Sequence, residues 1–302
     1  MVSVIIPSLN SPIIDQVIAA LDQQTVRAAI GEIFVVGRDH YGLVADDARV
    51  CFIDTGKPIS AAAARNRGAA QATGEWLLFL DADCLPEPDA LAQLLAAAQQ
   101  HGYGALVGGG VPEHNGYWGL CGNLLSFPVF LATDTPGERV CLPSFCLLLP
   151  RHAWQAVGPF TEEFHGASAE DLDLTFRLRL AGYRLGCAPA ARVLHRPARN
   201  SPAALWRQHF GFGVASYVIY YRFPMYHGFS QAIWAAERRE PAATALLVLL
   251  ACAYVVRLLL QQPPLRGFWY AIPGMILAQL AHYYGYQIAA RRTIEAHACN
   301  SQ

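Results

Sequence analysis

Two aspartates one residue apart, Asp81 and Asp83, close the apolar run Trp76–Leu80 in the stretch WLLFLDADC. A strand buried on both faces reads as such a continuous run. Open α/β sheets bind ligands beyond the carboxyl ends of these strands. Two carboxylates there can share a hard divalent cation, which commonly serves phosphates. The pair by itself is equally compatible with a turn that caps a following helix. A second acidic group, Glu170, Asp171 and Asp173, opens a helical stretch. The helix dipole favours carboxylates there, and capping accounts for one of them. Three exceed that need, and a carboxylate beside a metal-bound substrate can act as general base toward a hydroxyl.

Two further groups carry chemistry. Arg65, Asn66 and Arg67 lie within one helical turn, and Gly68 permits close packing. A guanidinium there can meet phosphate or brace an acidic loop, or can belong to a solvated helix face. His195 ends a short apolar run after the acidic helix. Its imidazole is either structural or completes the coordination of a metal held by Asp83.

The elements that must position these groups alternate. Strands are expected over 2–7, 32–36, 50–54, 76–80, 105–111 and 141–149. Helices are expected over 12–24 with Ser11 as cap, 60–73, 86–100, from 151, and over 168–182. Strands alternating with helices at this spacing mean βαβ units and a mostly parallel sheet.

VSVIIPSLN, ARNRGAAQATGEWLLFLDADC and EDLDLTFRLRLAGYRL, in this order, resemble family 2 glycosyltransferases of the GT-A fold. The resemblance implies an α/β nucleotide-sugar-binding and catalytic domain over residues 1–200. In such enzymes the first strand and turn, here Pro7, Ser8 and Asn10, line the nucleotide pocket, with Arg65 and Asn66 behind it. The Asp81-Ala82-Asp83 motif presents Mg²⁺ or Mn²⁺ to the donor diphosphate: Asp83 as metal ligand and Asp81 toward ribose or metal-bound water. The Glu170-Asp171 motif supplies the base of an inverting transfer, with Asp171 at the acceptor hydroxyl. One departure stands out. The aspartate pair usual after the second strand is replaced by Val36-Gly37-Arg38-Asp39. The base-binding carboxylate is displaced to Asp39, replaced by Asp54, or absent. The segment LWRQHFGFG adds Trp206 and Arg207 as weaker acceptor-side candidates.

The chain has 302 residues, 54% hydrophobic and 15% charged, and a formal net charge of −1. No global basic field points to nucleic acid. The eight cysteines form no CxxC pair and no His/Cys cluster with zinc spacing, which reads as buried thiols in a reducing compartment. No signal peptide is visible, so the catalytic part is expected to be cytoplasmic. In the C-terminal region, 201–302, apolar stretches over about 242–260 and 268–290 suggest a helical hairpin at the membrane, spanning it or lying on it. Arg238, Arg239, Arg291 and Arg292 flank it.

The expectation is a metal-dependent glycosyltransferase with a nucleotide-sugar donor, a UDP-sugar first. It acts on a sugar, lipid or lipid-linked acceptor at the cytoplasmic face of the membrane. A nucleotidyltransferase and a non-catalytic binding protein on the same fold are the alternatives.

Overall fold

A computed structural model describes residues 1–45, 49–112, 116–164, 169–198, 200–226 and 242–299. Two compact units make up the chain: Met1–Glu113 with Phe130–Arg196, and His114–Val129 with Pro197–Gln302.

Among the described residues, nine strands form one sheet in the first unit. They are β1 (Val2–Leu9), β2 (Ile30–Arg38), β3 (Val50–Asp54), β4 (Trp76–Leu80), β5 (Cys84–Pro86), β6 (Ala105–Pro112), β7 (Gly137–Glu138), β8 (Cys146–Pro150) and β9 (Leu185–His195). Their order is β3-β2-β1-β4-β8-β6-β9-β5, with β7 also on β9. The first four are mutually parallel, as β-branched and leucine-rich runs buried on both faces require. Val4, Ile5, Ile6, Ile33, Leu78 and Phe79 are fully or almost fully buried at its centre. Beyond β4 the sheet becomes mixed: β8 runs antiparallel to both β4 and β6, while β6 and β9 are parallel.

The helices, in chain order, are α1 (Ile14–Asp22), α2 (Ala61–Gln71), α3 (Ala90–His101), α4 (Tyr117–Ser126), α5 (Arg151–Val157), α6 (Glu170–Leu180), α7 (Pro202–Arg222), α8 (Ala242–Gln261) and α9 (Ile272–Cys299). The second unit contains α4, α7, α8 and α9. Ser60 caps α2 by accepting the Ala63 N–H at 3.1 Å. Gly68 lets α2 approach the sheet closely, because a Cβ there would lie 2.6 Å from Ile5 Cγ2. Gly37, at φ +141, faces the Ser8 carbonyl at a distance no Cβ tolerates.

Three local expectations are corrected. The first helix starts at Ile14, because the Ser11 hydroxyl donates to the Ala82 carbonyl at 2.6 Å and ties the first turn to the Asp-Ala-Asp segment. The helix expected from residue 86 starts at Ala90, since 84–86 pair with β9 instead. The strand expected over 141–149 narrows to β8, leaving 141–145 as a loop. Ser168, Arg238 and Arg239 lie outside the described residues.

In the second unit α7 and α9 touch backbone to backbone. A Cβ on Gly213 would lie 1.9 Å from the His282 carbonyl oxygen, and one on Gly285 would lie 2.1 Å from that of Phe210. Tyr217, Leu247, Ala251, Tyr283 and Tyr286 belong to the core that α7, α8 and α9 build. A helix pair linked by a 3₁₀ segment, Pro263–Ala271, occupies the expected hairpin region. Among the described residues no helix is long and apolar enough to cross a membrane. Polar Gln279, His282 and Gln287 interrupt α9, and both glutamines are buried.

Candidate active site

The reversal at β8 builds the site. Cys146 pairs with Leu80, so the loop before β8 arrives where β4 ends. There the Asp81 N–H donates to the Phe145 carbonyl at 3.0 Å. One residue earlier, Ser144 donates its backbone N–H to Asp171 Oδ2 at 3.1 Å, and the Leu172 N–H holds Asp171 Oδ1 at 2.8 Å. The two acidic motifs thus share one loop.

Arg65 joins them directly. From α2 its Nη2 donates to Asp81 Oδ1 at 2.7 Å and its Nη1 to Glu170 Oε1 at 2.9 Å. Its guanidinium also lies 5.5 Å from the Phe160 ring centroid. Arg65 is only 3% exposed and Glu170 4%. Burial opposes the arginine's charge, but Asp81, Glu170 and Asp171 outweigh it and raise its pKa further. Glu170 Oε2 has no hydrogen-bond partner, which leaves an acceptor free inside the site. Burial, and then the negative charge of Glu170, push Asp171 up to about 7, against the pull of Arg65 and the two N–H donors. Such a carboxylate is poised to exchange a proton near neutral pH.

Asp83 lies at the other side of the Asp-Ala-Asp turn. The β5–β9 ladder sets Cys84 opposite His195. His195 Nε2 reaches within 3.5 Å of Asp83 Oδ1, and Arg196 donates its N–H to the Asp83 carbonyl at 2.8 Å. Asp83, Cys84 and His195 offer ligand atoms that all lie within 4.8 Å of one another. Carboxylate oxygen, imidazole nitrogen and thiol sulfur in that space suit a first-row divalent cation.

The remaining candidates separate into occupied and available groups. Asn66 spends its amide on the backbone of Phe160 and on Glu162, at 2.8 to 2.9 Å, and so clamps the loop that carries Phe160. Asp173 likewise holds Thr161 and Arg177. Arg67 is exposed. Asp54 is engaged by the Gly56 N–H and lies 3.6 Å from Arg38, which also donates to the Gly56 carbonyl. Asp39 binds the Val44 N–H through Oδ2 and keeps a buried Oδ1 without a partner. Asn10, in the left-handed region at φ +56, binds the Arg38 carbonyl and accepts the His40 N–H, joining the ends of β1 and β2. Ser8 Oγ is buried and unpartnered beside the half-buried Pro7. Trp206 and Arg207 belong to α7 in the second unit, where the Trp206 ring lies 6.3 Å from that of Tyr284 and Arg207 is exposed.

Spacing missed two contributors. Cys84 meets His195 only through strand pairing, which no local spacing of cysteines and histidines records. Ser144 acts through its backbone, which no side-chain pattern announces.

The sequence and the fold are similar to those of known proteins. The family described as Glycosyl transferase family 2 matches residues 3–127, and that described as Glycosyl transferase family group 2 matches residues 76–286. The O-antigen biosynthesis protein RfbC of Myxococcus xanthus is 29% identical over 175 residues, 52% of this chain and 14% of that protein. Protein y4gI of Sinorhizobium fredii is 25% identical over 233 residues, 64% of this chain and 25% of that protein. The chain therefore spans a quarter or less of the curated relatives it matches. Its fold is similar to the mannosyltransferase of Pyrobaculum calidifontis solved with GDP-Man and Mn²⁺, with a TM-score of 0.60 at 20% identity over 94% of this chain and 87% of that one. It is also similar to GalNAc-T7 solved with UDP, GalNAc and Mn²⁺, with a TM-score of 0.53 at 15% identity over 72% of this chain and 51% of that one. With a sheet of this order, the Asp-x-Asp and Glu-Asp motifs joined through Arg65 and a family match over most of its length, the chain belongs to the family 2 glycosyltransferases.

Proposed function

We propose that the chain transfers a sugar, with inversion, from a nucleoside-diphosphate sugar to an acceptor hydroxyl, and that Asp171 is the base. The observation that carries this is the Arg65 fork, which holds Asp81 of one acidic motif and Glu170 of the other. It brings the Asp171 carboxylate beside the end of β4, with both oxygens oriented by backbone N–H groups.

In this reading Asp171 takes the proton of the acceptor hydroxyl as that oxygen attacks the anomeric carbon from the face opposite the nucleotide. The new glycosidic bond forms, the bond to the diphosphate breaks, and the configuration inverts. The donor is already activated, so one carboxylate base suffices, unlike the paired carboxylates of a glycosidase. Asp83 and His195, with Cys84 beside them, would hold a divalent cation, Mg²⁺ or Mn²⁺. Such a cation neutralises the charge that develops on a leaving diphosphate. The Mn²⁺ in two fold neighbours supports the same assignment. Ser8 Oγ and Asp39 Oδ1 are buried polar atoms without a partner that the nucleotide can meet, and in this reading Asp39 is the base-contacting carboxylate.

We also propose that the second unit rests on the cytoplasmic face of a membrane and that the acceptor is lipid or lipid-linked. The exposed face of α8 carries Leu246, Leu249, Val256 and Leu260, followed by exposed Trp269 and Tyr270. Residues 242–294 contain Arg257, Arg266, Arg291 and Arg292 and no acidic residue. This combination suits an interfacial helix on anionic lipid.

The enzymatic reading is tested by a thermal-shift and donor-hydrolysis screen of UDP-, GDP- and dTDP-sugars with Mn²⁺. At least one donor should stabilise the wild type and not Asp83→Ala. No response to any donor would overturn it.

A further inference from the structure

We infer that Cys84 is a third ligand of the Asp83–His195 centre, making it a carboxylate–imidazole–thiolate site that prefers Mn²⁺ and softer cations to Mg²⁺. This rests on reading Asp83 and His195 as metal ligands.

Cys84 opens the short strand β5, and its register partner in β9 is His195. Residues directly opposite in an antiparallel pair project to the same face, with Cβ atoms about 4.5–5.5 Å apart. The ladder therefore turns sulfur and imidazole the same way, and the Arg196 N–H anchors Asp83 beside them. Cys84 Sγ lies 3.9 Å from Asp83 Oδ1, the same oxygen that lies 3.5 Å from His195 Nε2. Two donors sharing one tetrahedral zinc stand about 3.5 Å apart. Asp81 Oδ1 is meanwhile bound to Arg65, and Asp83 is the carboxylate grouped with the thiol and the imidazole.

The donor set decides the preference. Mg²⁺ takes oxygen ligands in near-ideal octahedra and retains waters. Imidazole and thiolate instead follow the order that rises from Mn²⁺ through Co²⁺ toward Zn²⁺. As sulfur coordinates, the thiol proton is released to solvent, with no change of oxidation state.

The test titrates Co²⁺, Zn²⁺ and Mn²⁺ into the full chain as wild type, Cys84→Ser, Cys84→Ala, His195→Ala and Asp83→Ala, with circular dichroism confirming the fold of each. The wild type should show a near-ultraviolet sulfur-to-cobalt charge-transfer band that both Cys84 variants lose. Loss of zinc affinity in them should be no smaller than the about 10–100-fold that outer-shell partners cost. X-ray absorption of the zinc-loaded wild type should show a sulfur shell at about 2.3 Å. A band that persists in both Cys84 variants, or a zinc spectrum without sulfur, overturns the inference. If Mn²⁺ binding still needs Asp83 and His195, only the thiol ligand falls. If Mn²⁺ binds equally well without them, the reading of the centre falls too.

Discussion

Arg65 and Glu170, 105 positions apart in sequence, meet at 2.9 Å with both side chains almost wholly buried. The other terminal nitrogen of Arg65, Nη2, holds Asp81, so one guanidinium carries two acidic motifs. Its planar fork matches that task, whereas an ammonium has a single point of charge.

Removing one partner of a buried pair strands the other charge. Arg65→Met should lower stability by about 3–5 kcal/mol, read by urea unfolding, and Arg65→Lys should recover little of it. The double variant Arg65→Met/Glu170→Leu should be more stable than Arg65→Met alone. If it is less stable, Glu170 is not the charge left stranded.

Asp171 has a second consequence. Its pKa is raised on folding to about 7, so the folded chain binds more protons than the unfolded one between the ordinary carboxylate range and neutrality. That contribution to stability is fully present below the ordinary carboxylate pKa and is lost progressively as pH rises from there to about 7. Asp171→Asn should therefore abolish transfer while raising Tm at pH 8, with a smaller gain at pH 5 and almost none below the ordinary carboxylate pKa. For a domain of this size about 1 kcal/mol appears as about 2–4 °C. Wild-type activity should rise with pH through the same region, because the base must be unprotonated. Full turnover by Asp171→Asn removes it as the base.

Two glycines of α7 should behave oppositely. A Cβ on Gly213 would strike the His282 carbonyl, while one on Gly211 meets nothing within 4 Å. Gly213→Ala should cost about 1–3 kcal/mol through forced backbone shifts. Gly211→Ala should be neutral or stabilising by up to about 1 kcal/mol. Thermal melts of the two variants compare them directly.

The apolar outer face of α8 should bind lipid. The wild type should sediment with vesicles containing anionic lipid, and Leu249→Glu with Leu260→Glu should release it while the melting temperature stays within a few degrees. Equal sedimentation of both proteins, or none with the wild type, removes the membrane reading.

The strand–helix alternation, the two acidic motifs and the family resemblance are legible in the amino-acid sequence alone. These rest on local patterns: apolar runs for strands buried on both faces, and carboxylates where a strand ends or a helix begins. Gly68 was also legible as a close-packing position, and a Cβ there would collide with Ile5. The partners those residues meet come from long-range packing. The reversal of β8 put Ser144 against Asp171, and the β5–β9 register put Cys84 opposite His195. The Arg65 fork took up Asp81 and Glu170, while Asn66 was spent on the Phe160 loop. Such contacts arise from pairing between segments distant in the chain, and no periodicity of either segment records the register in which they meet.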